Sequence, residues 1–102
     1  MSITTKKTIY IDKDLEEITP VFLENRHKDL LLLEKYLQEK NFAEIAVIGH
    51  KLAGNAESYG HPELGEIGTK IESFAKMSDS SNIIKLKEQI STYLSTIVIA
   101  FK

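Results

Sequence analysis

Three histidines, His27, His50 and His61, carry the side chains of this chain that titrate near neutrality and can attack an electrophile or move a proton at physiological pH. Their settings differ. His27 lies on the flank of an apolar stripe formed by Leu23, Leu30, Leu33, Glu34 and Leu37, where packing with one satisfied ring nitrogen accounts for it. His61 precedes Pro62 at a helix start, where a turn or cap role suffices. His50 is different: at about 100° per residue it falls far from the centre of the Ile45, Leu52 and Ala56 stripe, so its ring is expected to face solvent in mid-helix. One turn away in either direction stand Ala46, Val47, Ala53 and Gly54, none of which can act as base, ligand or counter-ion within the helix.

That bareness narrows the chemistry. A hydrolytic triad needs an orienting carboxylate and a hydroxyl or thiol nucleophile. A helical zinc site needs a second ligand four residues away. Neither accompanies His50 in its own helix, and the chain has no cysteine. The remaining role is a histidine that is itself the nucleophile and takes its other catalytic groups from a second protein. An exposed imidazole offers a lone pair to phosphorus at neutral pH. Gly54 fits this role, because a mid-helix glycine costs about 1 kcal/mol relative to alanine and here clears space beside the ring. Gly68 falls on a core face, where close helix packing explains it.

The elements that position these residues read as helices. Thr19-Pro20 has the form of an N-cap followed by proline at the first helical position, opening a helix to about Glu39. Asn41 caps a second, whose face carries Phe42, Ile45, Gly49, Leu52 and Ala56 and which stops near Tyr59-Gly60. His61-Pro62 opens a third, with Leu64, Ile67, Gly68, Ile71, Phe74 and Ala75 at helical spacing, up to the break at residues 77–81. Ile83, Leu86, Ile90, Tyr93, Leu94 and Ile97 form the fourth stripe, which is expected to carry the helix into the Ile97–Phe101 tail. Four such stripes with short connections predict an all-α fold, an antiparallel up-and-down four-helix bundle over residues 19–98. Residues 1–18 are expected to form an N-terminal arm, extended at Ile9, Tyr10 and Ile11 and with a small extra helix over Asp12 to Ile18.

Composition sets the wider bounds. At 102 residues the chain is read as a single domain, and 42% hydrophobic with 27% charged residues is an ordinary globular mixture. A net charge of −2, with 13 basic and 15 acidic residues dispersed along the chain, offers no footprint for nucleic acid. The start has no apolar stretch of signal-peptide length, and the apolar runs are too short to span a bilayer. A cytoplasmic protein without membrane attachment is therefore expected.

His50-Lys51-Leu52-Ala53-Gly54, with Asn55-Ala56, Tyr59-Gly60 and Pro62-Glu63-Leu64 after it, resembles the phosphoacceptor motif H-x-[LIM]-[KA]-G of histidine-containing phosphotransfer (HPt) domains. The likeness covers most of the chain, with Phe22 to Asp29, Asn41-Phe42 and Ile48-Gly49 upstream and Ile67-Gly68, Ile71-Glu72 and Ala75-Lys76 downstream similar to the small stand-alone members. It implies that His50 accepts a phosphoryl group from a phospho-aspartate on a response-regulator receiver domain, such as that of a hybrid sensor kinase, and passes it to another. It implies no kinase or hydrolase activity and no cofactor of the chain's own, with magnesium supplied by the receiver. The expected state is a monomer. Many members carry lysine where this chain has Ala53, so charge support for the phosphoryl group would fall to Lys51, or to Lys28 or Lys35 of the preceding helix. Val47 and Gly54 flank the histidine and would form the centre of the receiver contact. The alternative is an interaction module that is not phosphorylated and binds a receiver or self-associates, for which Val21, Leu32 and Tyr36 offer an apolar patch off the first stripe.

Overall fold

Four α-helices form where the stripes fall: α1 (Thr19–Glu39), α2 (Phe42–Asn55), α3 (Pro62–Lys76) and α4 (Ser80–Thr96). The computed structural model describes residues 6–102, so the first five residues of the expected N-terminal arm lie outside the described residues. Local chemistry sets most of the helix ends. The Asn41 side chain accepts from the Glu44 N–H at 3.3 Å and caps α2. Asp79 caps α4, accepting from the Asn82 N–H at 3.2 Å and from its side-chain amide at 2.7 Å, and these bonds hold the Asp79 carboxyl below its usual range. After α2 the chain makes a single 3-10 turn, Glu57–Tyr59, and Gly60 takes the left-handed conformation (φ 91°) that turns it toward α3.

The start of α1 departs from expectation. Thr19 does not cap it; the cap position is Ile18, and the Thr19 hydroxyl donates instead to the Leu15 carbonyl at 2.7 Å. The buried face is also rotated, to Phe22 and Leu33 with Leu23, Leu30, Tyr36 and Leu37 partly buried. His27 and Glu34, expected on this face, are exposed. The rotation follows from aromatic packing: Phe22 stacks on Tyr59 (centroids 4.7 Å) and on His61 (5.1 Å), both from the turn between α2 and α3, and this draws its edge of α1 inward.

The tail also departs from expectation. Ile97–Phe101 is a strand, β2, not the end of α4, and it pairs in parallel with β1 (Lys7–Ile11), Lys7 opposite Ile97 and Ile11 opposite Phe101. The molecule is thus mostly helical with a short two-stranded parallel piece. The run Ile-Val-Ile-Ala-Phe favours extended backbone once a partner strand is available, and β1 supplies one from the other end of the chain. Ile11 is fully buried, its side chain against Gly60, whereas Tyr10 and Val98 point outward and are exposed. The small helix expected over Asp12 to Ile18 reduces to one 3-10 turn, Lys13–Leu15, capped by the Asp12 carboxylate accepting from the Asp14 N–H at 2.8 Å.

The core between the helices is built on Leu33, Ile45, Leu64, Ile71, Ile83 and Ile90, all essentially without solvent contact. α2 packs most closely on α3; α3 also packs on α4, and α1 touches both α2 and α4. His61, expected to serve a turn or cap, makes no cap bond and is wholly buried in this core. Its Nδ1 lies 2.6 Å from the Tyr93 hydroxyl, and its ring is parallel to Phe22 within 3°, so it ties α1, α3 and α4 together. Burial, helped by the nearby Arg26 charge, pushes the His61 pKa down, and burial with the Glu63 charge pushes the Tyr93 phenol up to about 12.

A depressed histidine pKa means that the unfolded chain binds the proton more readily. The stability tied to neutral His61 is fully present above the unfolded value and is lost as pH falls below about 6.5 toward the folded one. The urea midpoint should therefore drop between about pH 7.5 and 5.5, and the drop should shrink in His61→Phe, which keeps the ring but cannot titrate. An equal drop in both proteins would assign the pH dependence elsewhere.

Candidate functional site

On α2 the residues Ile45, Ile48, Gly49 and Leu52 face inward, and one residue beyond Gly49 the chain surfaces at the seam with α3. His50 sits there, its side chain 76% exposed. The seam is unusually tight: a Cβ added to Gly49 would stand 2.6 Å from the Glu72 amide nitrogen and 2.7 Å from the Gly68 carbonyl, and one added to Gly68 would stand 2.6 Å from the Ala53 nitrogen. Only hydrogens fit at these two positions. This contact places Glu72 of α3 beside the residue that precedes His50, and its Oε2 lies 3.1 Å from His50 Nδ1. One turn further along α3, Lys76 Nζ lies 3.5 Å from the same oxygen.

The ring therefore does not stand alone. Its own helix supplies no partner, as the spacing shows, but a carboxylate 22 residues away does. A signal for this pairing exists in the sequence: Gly49 and Gly68 both lie on core faces, which suits close backbone approach, and Glu72 follows Gly68 by one helical turn. An ionised carboxylate only accepts hydrogen bonds, so the ring must be the donor at Nδ1. A neutral imidazole held in this way carries its lone pair at Nε2.

Around the ring lies a shallow, largely apolar depression formed by Ala46, Val47, His50, Lys51 and Glu72, with no hydroxyl or thiol in its lining. Val47 is exposed. Gly54 opens outward, with no atom within 4 Å of where a Cβ would be, so close packing is not what this glycine serves. Ala53 is half-buried at the seam, its amide against Gly68. Lys51 is exposed and lines both this depression and the adjoining groove between α1 and α2. In that groove Asp29 pairs with Arg26 at 2.8 Å; burial raises the Asp29 pKa against the opposing pull of Arg26 and Lys51.

The other two lysines considered for the site are engaged elsewhere. Lys28 lies 3.9 Å from Glu24 on its own helix, and Lys35 lies over the Tyr36 ring at 5.8 Å. Neither lines the depression around His50; Lys76, which sequence reasoning missed, stands nearer through Glu72. Of the apolar patch expected on α1, Val21 and Leu32 are exposed, joined by Leu31, while Tyr36 packs on the core.

No family model matches this chain. Comparison with curated proteins and with solved structures likewise finds no significant match. Among the described residues, no helix is long and apolar enough to cross a membrane.

The two kinds of glycine should respond oppositely to the same substitution. Gly68→Ala gains up to about 1 kcal/mol of helix propensity but forces a methyl against backbone, where overpacking costs about 1–3 kcal/mol, so urea denaturation should show net destabilisation. Gly54→Ala meets no atoms and should stabilise by up to about 1 kcal/mol. A stabilising Gly68→Ala would mean that the seam is looser than described.

Proposed function

We propose that this chain is a histidine phosphotransfer protein of a two-component phosphorelay, cytoplasmic, and a carrier rather than an enzyme. The observation that carries the reading is His50: an exposed ring in mid-helix, held at Nδ1 by Glu72 and set one turn from the open space at Gly54. In transfer, Nε2 attacks the phosphorus of a phospho-aspartate on a receiver domain. The N–P bond forms as the acyl P–O bond breaks, the aspartate leaves as its carboxylate, and the Nδ1 proton stays in the bond to Glu72. The return step runs the same exchange toward a second receiver's aspartate. The resemblance to HPt domains assigns magnesium and the groups that stabilise the transferring phosphoryl to the receiver. That agrees with a depression that offers one imidazole, one carboxylate and a lysine.

The reading also calls for an antiparallel up-and-down bundle, which the short connections after α1, α2 and α3 favour. Val47 and the open face at Gly54 would meet the receiver at the centre of a small contact, with Lys51 at its rim. Val21, Leu31 and Leu32, exposed on α1, favour the second reading, an interaction module that is never phosphorylated.

Incubation with receiver domains charged by acetyl phosphate should transfer an acid-labile, base-stable label that His50→Gln abolishes and His27→Gln leaves in place. Glu72→Gln keeps an acceptor but loses its charge, which is worth about 1 kcal/mol and should slow transfer roughly fivefold. Binding of a receiver without label at any concentration would favour the second reading instead.

Gly54→Leu isolates the steric requirement. It should slow transfer severely while leaving the urea midpoint at or above that of wild type, since nothing packs on this position and leucine is a better helix former than glycine. Unimpaired transfer in Gly54→Leu would show that the partner does not approach over this turn.

A further inference from the structure

One edge of the sheet carries backbone groups that have no backbone partner among the described residues. In a parallel pair, alternate residues aim both backbone groups at the neighbouring strand and the residues between aim them away. The Lys102 N–H donates to the Ile11 carbonyl, and the Lys102 carbonyl accepts from the Lys13 N–H, both at 3.0 Å. Residues 98, 100 and 102 therefore face β1, and Ile99 and Phe101 turn their N–H and C=O groups outward. Among the described residues these four groups have no backbone partner. Ile97 differs, because its N–H closes α4 on the Tyr93 carbonyl.

Two further features mark this edge. Two strands are fewer than an independently stable sheet needs, and parallel pairs in particular are normally covered. Edges are commonly guarded by charge, and β1 has Lys7 within it and Lys6, Asp12 and Lys13 beside it; β2 from Ile97 to Phe101 carries no charge at all. Its outward side chains are small or apolar, with Val98 exposed and Ala100 partly so.

We propose that the β2 edge is a self-association surface, on which a second copy of this chain pairs antiparallel about a two-fold axis at Ala100. This register satisfies every free group of the edge. The Ile99 N–H donates to the Phe101 carbonyl of the second copy, the Phe101 N–H donates to its Ile99 carbonyl, and symmetry repeats both bonds. Ile99 then faces Phe101 across the strands on the helix side, a favourable β-branched and aromatic pair. Ala100 faces its own copy on the outer side, where two methyl groups fit and two longer side chains of like charge would repel. The result is a continuous four-stranded sheet, β1-β2-β2-β1, with the charged β1 strands at its rims. An isologous contact of this kind closes after two copies. The surface is independent of the His50 reading: Ile11 of the sheet packs on Gly60, more than two helical turns beyond His50 along the chain.

The test is sedimentation equilibrium of the full chain over a wide concentration range, with far-UV circular dichroism to confirm folding. Wild type should reach a dimer. Ala100→Lys and Ala100→Glu should each raise the dissociation constant at least about tenfold, and an equimolar mixture of the two should regain dimer as a heterodimer. Thr8→Lys, on the outer face of the other strand, should change little. A wild type that is monomeric throughout would leave the edge to a strand of another protein and overturn the proposal. A dimer indifferent to both Ala100 variants, or two folded variants that do not recombine on mixing, would overturn it equally.

Discussion

The approach of α2 to α3 at Gly49 and Gly68 is the constraint on which the site depends. Each glycine sits where a Cβ would be under 3 Å from the other helix's backbone, so the two backbones touch with nothing between them. Each mid-helix glycine costs about 1 kcal/mol in propensity, offset by the dispersion and burial gained along a seam this close. The consequence is local and geometric. The residue after Gly49 emerges at the lip of the seam, and the residue one turn after Gly68 emerges opposite it, bringing a nucleophilic ring and a carboxylate to hydrogen-bond distance. A methyl at either glycine would part the helices, and the imidazole would lose the group that selects its tautomer.

Glu72 in turn joins two donors. Its Oε2 receives both His50 Nδ1 and Lys76 Nζ, and its side chain as a whole is three-quarters withdrawn from solvent. Lys76 balances the negative charge that Glu72 brings beside the ring.

What was legible in the sequence was what local chemistry decides. The cap at Asn41, the prolines at 20 and 62, the glycine turn at 60, the break at residues 77–81 and the three later apolar faces all depend on neighbours within a few residues. So do the outward placement of His50 and the freedom around Gly54. The failures share a different cause. The rotation of α1 depends on Phe22 stacking between rings from other elements, β2 on a strand at the opposite end of the chain, and the His50 partner on a helix after a turn. The run from Ile97 to Phe101 continues the helical period of α4 in apolar residues, so periodicity alone reads it as helix, and only pairing with β1 makes it strand.

The contrast between His50 and His61 shows how one residue type is divided between structure and chemistry. His61 lies in a site whose burial disfavours its charged form, stacked on Phe22 and bonded to Tyr93, so its ring and one nitrogen are committed to the core. His50 commits one nitrogen to Glu72 and leaves the other to solvent. A carrier under the proposed function must give up a phosphoryl as readily as it takes one, which argues against a site that grips the phosphoryl strongly. A single oriented imidazole over an open helical turn meets that requirement, because the groups that stabilise the transition state arrive and depart with the partner. The direction of transfer then belongs to the partners, and this chain contributes a fixed ring and a clear approach to it.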